Sequence, residues 1–106
     1  MLNSPETLLL ENLVAIALKR RFGDDFYFAR DNAEVDFYVP KTQTLIQVAY
    51  SISANQTENR EIESMLKIQE RIKAENLLII TLDGEKTIEH KEKTIKCIPV
   101  WKWILL

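Results

Sequence analysis

Leu9, Leu10, Leu13, Val14 and Ala17 recur at the three- and four-residue spacing that stacks side chains on one helix face. Ahead of them, Ser4 is a capping residue, Pro5 suits the first helical position, and Glu6 complements the positive end of the helix dipole. Lys19-Arg20-Arg21 supplies a basic last turn and Gly23 a stop, so the pattern predicts a first helix from Pro5 to Phe22. The period then changes from 3.6 to 2. Phe26-Tyr27-Phe28 is rich in strand formers, Asp31-Asn32 offers turn chemistry, and Glu34 to Val39 alternates polar with apolar. Pro40 and Lys41-Thr42-Gln43 make a tight connection into a third run, Thr44 to Tyr50, whose mixed apolar character suits a central strand. These three runs predict an antiparallel meander.

Ser51 to Gln56 reads as a polar loop, and Asn55 with Glu58 three residues on is a cap-like pair opening a second helix. Ile62, Met65, Leu66 and Ile72 give that helix one apolar stripe, with its end expected at Asn76. Leu77 to Ile80 is continuously apolar and bounded by Asp83-Gly84, the signature of a strand covered on both faces. Thr87 to His90 and Thr94 to Ile98 predict a final hairpin around Lys91-Glu92-Lys93. Trp101 to Leu106 fits helix or strand. The order is helix, three strands, helix, strand and a C-terminal hairpin: an α/β domain with a mixed central sheet and helices on both faces.

Composition narrows the function classes. At 106 residues, 46% apolar and 28% charged, the chain has the size and balance of one globular domain spanning 1–106. A net charge of −2 lacks the basic excess of a dedicated nucleic-acid binder, so any contact with DNA needs a local patch. Two glycines, Gly23 and Gly84, leave no Gly-rich phosphate loop. The lone Cys97 sits in an apolar stretch and reads as a small buried hydrophobe. No signal-like or membrane-spanning apolar run occurs, which points to a cytoplasmic protein without membrane contact.

One constellation of residues could carry chemistry. Side chains alternate along a strand, so Glu34, Asp36 and Tyr38 share a face, as do Leu45, Gln47 and Ala49. The antiparallel register expected from the Pro40–Gln43 turn brings Asp36 near Gln47, with Ala49 two residues further along. Glu11 is the polar exception in a leucine-rich helix, and Glu11, Asp36 and Gln47 are therefore expected to converge.

An acid on the first helix, Asp36 on the second strand and Gln47-Val48-Ala49 on the third resemble the PD-(D/E)XK superfamily, which includes restriction enzymes and Holliday-junction resolvases. The wider sequence is similar to the domain that follows the ATPase module in many prokaryotic AAA-type ATPases. That likeness spans Leu10-Glu11-Asn12-Leu13-Val14, Glu34-Val35-Asp36-Phe37, Ile46-Gln47-Val48-Ala49-Tyr50-Ser51, Arg60-Glu61-Ile62 and Ile98-Pro99-Val100-Trp101-Lys102-Trp103. The resemblance implies a restriction-endonuclease-like fold and a domain excised from a longer ATPase chain, to which the abrupt start at a capped helix is suited.

In active members the acids hold Mg²⁺, a hard cation that prefers carboxylate oxygen, and the metal activates a water that the lysine helps position or deprotonate. Here Gln47 stands for the second acid and Ala49 for the lysine. Glu11 and Asp36 are the retained metal-ligand positions. The resemblance thus implies a non-catalytic accessory domain with no required cofactor, Mg²⁺ being the ion a residual site would bind. Its partners would be the adjoining ATPase module and DNA through a local patch, with the oligomeric state left open.

Two alternatives stand beside that reading. An active nuclease would need Arg60 or Lys67 in place of the lysine, or Glu34 in place of the acid; a docking or dimerisation unit would use a strand edge and Trp101 to Leu106. Simpler roles exist for the same residues. Asp36 and Glu34 suit a solvated strand face, Glu11 a helix surface, and Gln47 a hydrogen-bonded structural amide. Lys19-Arg20-Arg21 is favourable to the helix dipole, Trp101 and Trp103 suit core cover or an interface, and His90 has no ligand partners at metal spacing.

Overall fold

The computed structural model describes residues 5–31, 34–49 and 55–106, with the side chains of 29–31, 34–36 and 55–61 excepted. The first helix, α1 (Pro5–Phe22), ends where Gly23 takes φ +62° and donates its N–H to the Lys19 carbonyl at 2.9 Å. An L side chain resists that backbone conformation, which is why glycine stops the helix. The face α1 buries is Leu10, Val14 and Leu18. Leu9 and Leu13, expected in the core, are exposed instead, and Ala17 is half-buried. This helix carries aliphatic residues on more than one row, so spacing alone does not choose which row the sheet takes.

Strands β1 (Tyr27–Asp31), β2 (Glu34–Val39) and β3 (Thr44–Val48) form the expected antiparallel meander. The turn between β2 and β3 closes with the Gln43 N–H donating to the Pro40 carbonyl at 3.1 Å, Gln43 itself lying at φ 52°. Tyr50 and the polar loop up to Ala54 fall outside the described residues. The second helix, α2 (Asn55–Ile72), opens where predicted but stops before Asn76. Lys73 turns left-handed (φ 52°) and donates its N–H to the Gln69 carbonyl at 2.7 Å.

Asn76 is instead the first residue of β4 (Asn76–Thr81), and the β2–β3 turn holds it there. The Glu75 and Asn76 N–H groups both donate to the Gln43 carbonyl (2.9 and 3.0 Å), and Asn76 Nδ2 donates to the Thr42 carbonyl at 2.9 Å. On α2, Ile62 and Met65 are buried and Leu66 half-buried, whereas Ile72, expected in the stripe, is exposed at the helix end.

The hairpin of β5 (Lys86–His90) and β6 (Lys93–Pro99) turns on two residues, Lys91 and Glu92, because His90 pairs directly with Lys93. The last residues are helical: α3 (Val100–Leu105) follows Pro99, which stands at its N-cap in extended backbone. Strand order is β1-β2-β3-β4-β6-β5, with β4 parallel to β3 and β6, and β5 antiparallel to β6.

Two apolar layers sandwich this mixed sheet. On one face α1 and α3 cover Phe37, Val39, Ile46, Val48 and Ile80; on the other α2 covers Leu45, Ala49, Leu77, Ile79 and Ile95. β3 and β4 are therefore buried on both sides, as the apolar run at Leu77 to Ile80 predicts. Each fully buried isoleucine or leucine in these layers contributes roughly 1.5–3 kcal/mol of transfer free energy. Cys97 is a buried thiol in the α2 layer, in the hydrophobic role expected of it. Thr81, also fully buried, stays satisfied because its Oγ1 donates to the Gly84 carbonyl (2.6 Å) and accepts the Gly84 N–H (3.0 Å). That pair of bonds shapes the Asp83-Gly84 turn. Among the described residues no helix is long and apolar enough to cross a membrane.

Candidate functional site

The β2–β3 ladder places position 36 directly opposite position 47, the register expected from the length of the Pro40–Gln43 turn. Gln47 lies on the central strand between β2 and β4, with Ile79 as its partner on the other side, and its side chain is 0% exposed. An unsatisfied buried polar group costs ~1–3 kcal/mol; Gln47 has an interaction of its own, but its Oε1 accepts no hydrogen bond among the described residues.

Ala49 follows β3 and continues its bonding, donating its N–H to the Ile80 carbonyl at 3.0 Å. It is 5% exposed, in the apolar cluster that includes Leu45, Ile62 and Met65 beneath α2. Position 49, which the sequence resemblance matches to a lysine, is thus a packed methyl group within a core layer.

Glu11 is 6% exposed, a buried carboxylate between Leu10 and Val14 on α1 that is held by an interaction of its own. Its helix packs on the sheet face of Ile46 and Val48, opposite the face to which Leu45 and Ala49 belong. Of the expected constellation, the backbone brings Asp36 and Gln47 together, whereas Glu11 lies on the helix that covers the other face of the sheet. The side chains of Glu34, Asp36 and Arg60 lie outside those described, and Lys67 is exposed on α2.

A Mg²⁺ site of the superfamily's kind needs convergent anionic oxygens. Gln47 offers only a neutral amide at one of those positions, and Ala49 offers no cation to orient a water. Among the described residues no group of three or more His, Cys, Asp or Glu side chains is placed to hold a metal. The described donor set does not fit the ion.

An open cleft of about 1060 Å³ lies away from these positions. It is lined by residues such as Thr42, Lys73, Asn76, Lys93 and Lys96, and by none of Glu11, Gln47 and Ala49. The C-terminal tryptophans divide their roles: Trp103 is buried against α1, and Trp101 is exposed. Arg21 joins that end of the molecule as a clamp on α3, a role its basic neighbours in the sequence conceal.

No family model matches the chain, and no solved structure matches it. An uncharacterized protein of Methanocaldococcus jannaschii is 40% identical over an alignment 108 positions long, which covers 92% of this chain and 24% of that protein. The chain therefore spans about a quarter of the length of this relative.

Proposed function

We propose that the chain is a non-catalytic accessory domain with a restriction-endonuclease-like fold, serving an AAA-type ATPase module in a longer parent chain by binding DNA or a protein partner. The observation that carries this reading is the burial of Ala49 and Gln47 in core packing at the two positions where the resembled nucleases keep a lysine and a second acid. Without the lysine no cation steers the attacking water, and without the acid a divalent ion loses an anionic ligand. The six-stranded mixed sheet flanked by helices supports the fold, and a match confined to about a quarter of the relative's length supports a domain that occurs within longer chains.

The test is a cleavage assay on supercoiled, linear and single-stranded DNA in Mg²⁺ and in Mn²⁺, run beside Asp36→Ala. The expected result is no cutting above that of the variant. Metal-dependent cutting that Asp36→Ala abolishes would overturn the proposal and make the chain an active nuclease with a rearranged site.

A further inference from the structure

α1 is apolar on the side turned away from the sheet as well as on the side turned toward it. Between Thr7 and Leu18 the only charged residue is Glu11, and it is buried. The outward row reads Glu6, Leu9, Leu13, Ile16 and Arg20, with spacings of three, four, three and four residues, the a/d rhythm of a helix–helix seam. All five are exposed, Leu9 to 62%, Leu13 to 40% and Ile16 to 52%. By contrast, α2 turns Glu63, Lys67, Glu70 and Arg71 outward, the ordinary pattern of a helix with one solvated face. Leu10, Val14 and Leu18 already supply the contact of α1 with the sheet, so the second row is left exposed among the described residues.

We propose that this row is the seam of a homodimer in which α1 of two copies packs side by side and antiparallel about a two-fold axis at Leu13. The charges at its ends, which also suit the helix dipole, are complementary under that operation and favour a second copy of the chain as the occupant. Glu6 and Arg20 each lie seven residues from Leu13, about 10.5 Å along the helix in opposite directions. An antiparallel two-fold therefore sets Glu6 of one copy against Arg20 of the other, twice by symmetry, and brings Leu9 near Ile16 in the layers between. Parallel packing would instead oppose Glu6 to Glu6 and Arg20 to Arg20. α3 packs beside α1 and leaves Trp101, Ile104 and Leu105 exposed, enlarging the apolar surface of the same layer toward the ~1,000 Å² total that a specific interface clears. This inference is independent of whether the domain cuts DNA.

Sedimentation equilibrium over a concentration series tests it. The 106-residue chain is expected to approach twice its 12.4 kDa mass, and Leu13→Lys, which places two ammonium groups at the axis, to remain at 12.4 kDa with an unchanged circular dichroism spectrum. Glu6→Arg and Arg20→Glu should each weaken the dimer about tenfold, and the double variant should regain most of the loss, because two symmetry-related pairs are reversed together. Each swap opposes the helix dipole, so recovery in the double variant cannot come from a more stable helix. Should Leu13→Lys unfold, the charge swaps carry the test alone. A monomeric wild type at every concentration, a folded Leu13→Lys that still dimerises, or a double variant no tighter than the single ones would overturn the proposal.

Discussion

The Arg21 guanidinium lies 4.9 Å from the centroid of the Trp103 ring, while its Nη2 donates to the carbonyl oxygens of Trp103 (3.0 Å), Ile104 (2.7 Å) and Leu106 (3.2 Å). One side chain from the end of α1 thereby reaches the last acceptors of α3, sharing the Trp103 carbonyl with the Leu106 N–H (3.2 Å). The arrangement is favourable twice over, since a cation meets both the negative end of a helix dipole and the face of an aromatic ring.

Because α3 has only six residues, it cannot hold itself together by helix propensity. Arg21→Ala is expected to lower the unfolding free energy by about 1–3 kcal/mol in a denaturant titration and to make Trp103 more accessible to a fluorescence quencher. Arg21→Lys should recover less than half, because an ammonium neither stacks flat on the indole nor reaches several carbonyls with a planar fork. A fully stabilising lysine would mean that charge alone is at work.

Lys91 and Glu92 both adopt positive φ, 49° and 67°, to close the β5–β6 hairpin in two residues. The geometry matches the twist of the paired strands but is strained for residues with a Cβ. Replacing the pair by Asn-Gly is expected to stabilise the domain by ~1 kcal/mol, read as a melting temperature higher by a few degrees. A lower melting temperature would show that the two native side chains contribute more than the strain they carry.

Where periodicity had a single solution, sequence was a sufficient guide: both bounds of α1 and of β2, the meander register, and the doubly buried β4 follow from it. It misled where several rows or several endings were equally apolar. Leu9 and Leu13 belong to the outward row of α1 because a leucine-rich helix offers more than one face, and burial is decided by the sheet. The start of β4 at Asn76 is held by hydrogen bonds from Glu75 and Asn76 to Gln43 and Thr42, more than thirty positions away along the chain. The same distinction applies at the candidate site. Strand alternation and turn length suffice to pair Asp36 with Gln47, but the placement of Glu11 on the opposite layer depends on how α1 docks.

Asp24 forms an ion pair with Lys19 across the end of α1, and that hydrogen bond and charge hold its carboxyl below the ordinary value of 3.8. A carboxylate whose pKa is depressed on folding stabilises the fold above its unfolded pKa, and the benefit disappears as pH falls through the lower folded value. A carbon-detected NMR titration should therefore give Asp24 a lower midpoint in the native protein than in Lys19→Met. Because the pair is exposed, molar salt should narrow the difference. A midpoint unchanged by Lys19→Met would remove the ion pair as the cause.

Ala49 offers a second probe of the proposed non-catalytic reading, beside cleavage. An active relative of the resembled kind must hold a lysine here with its ammonium near water and substrate, so the surroundings would have to open. In this fold the position is closed: the methyl group belongs to the apolar cluster with Ile62 and Met65, and the backbone is tied to Ile80. Ala49→Met and Ala49→Lys add side chains of similar length, and both should lower stability by overfilling the layer, typically by ~1–3 kcal/mol. The lysine should cost about 1 kcal/mol or more beyond the methionine at neutral pH, because its charge is desolvated. Burial depresses the pKa of a lysine, so this extra cost should be full at neutral pH and shrink as pH rises toward the unfolded value of ~10.4. Denaturant midpoints of the two variants across that range measure the gap. Equal stability at every pH would mean that the lysine escapes to solvent along an open path, and an open path at this position would reinstate the geometry an active nuclease requires.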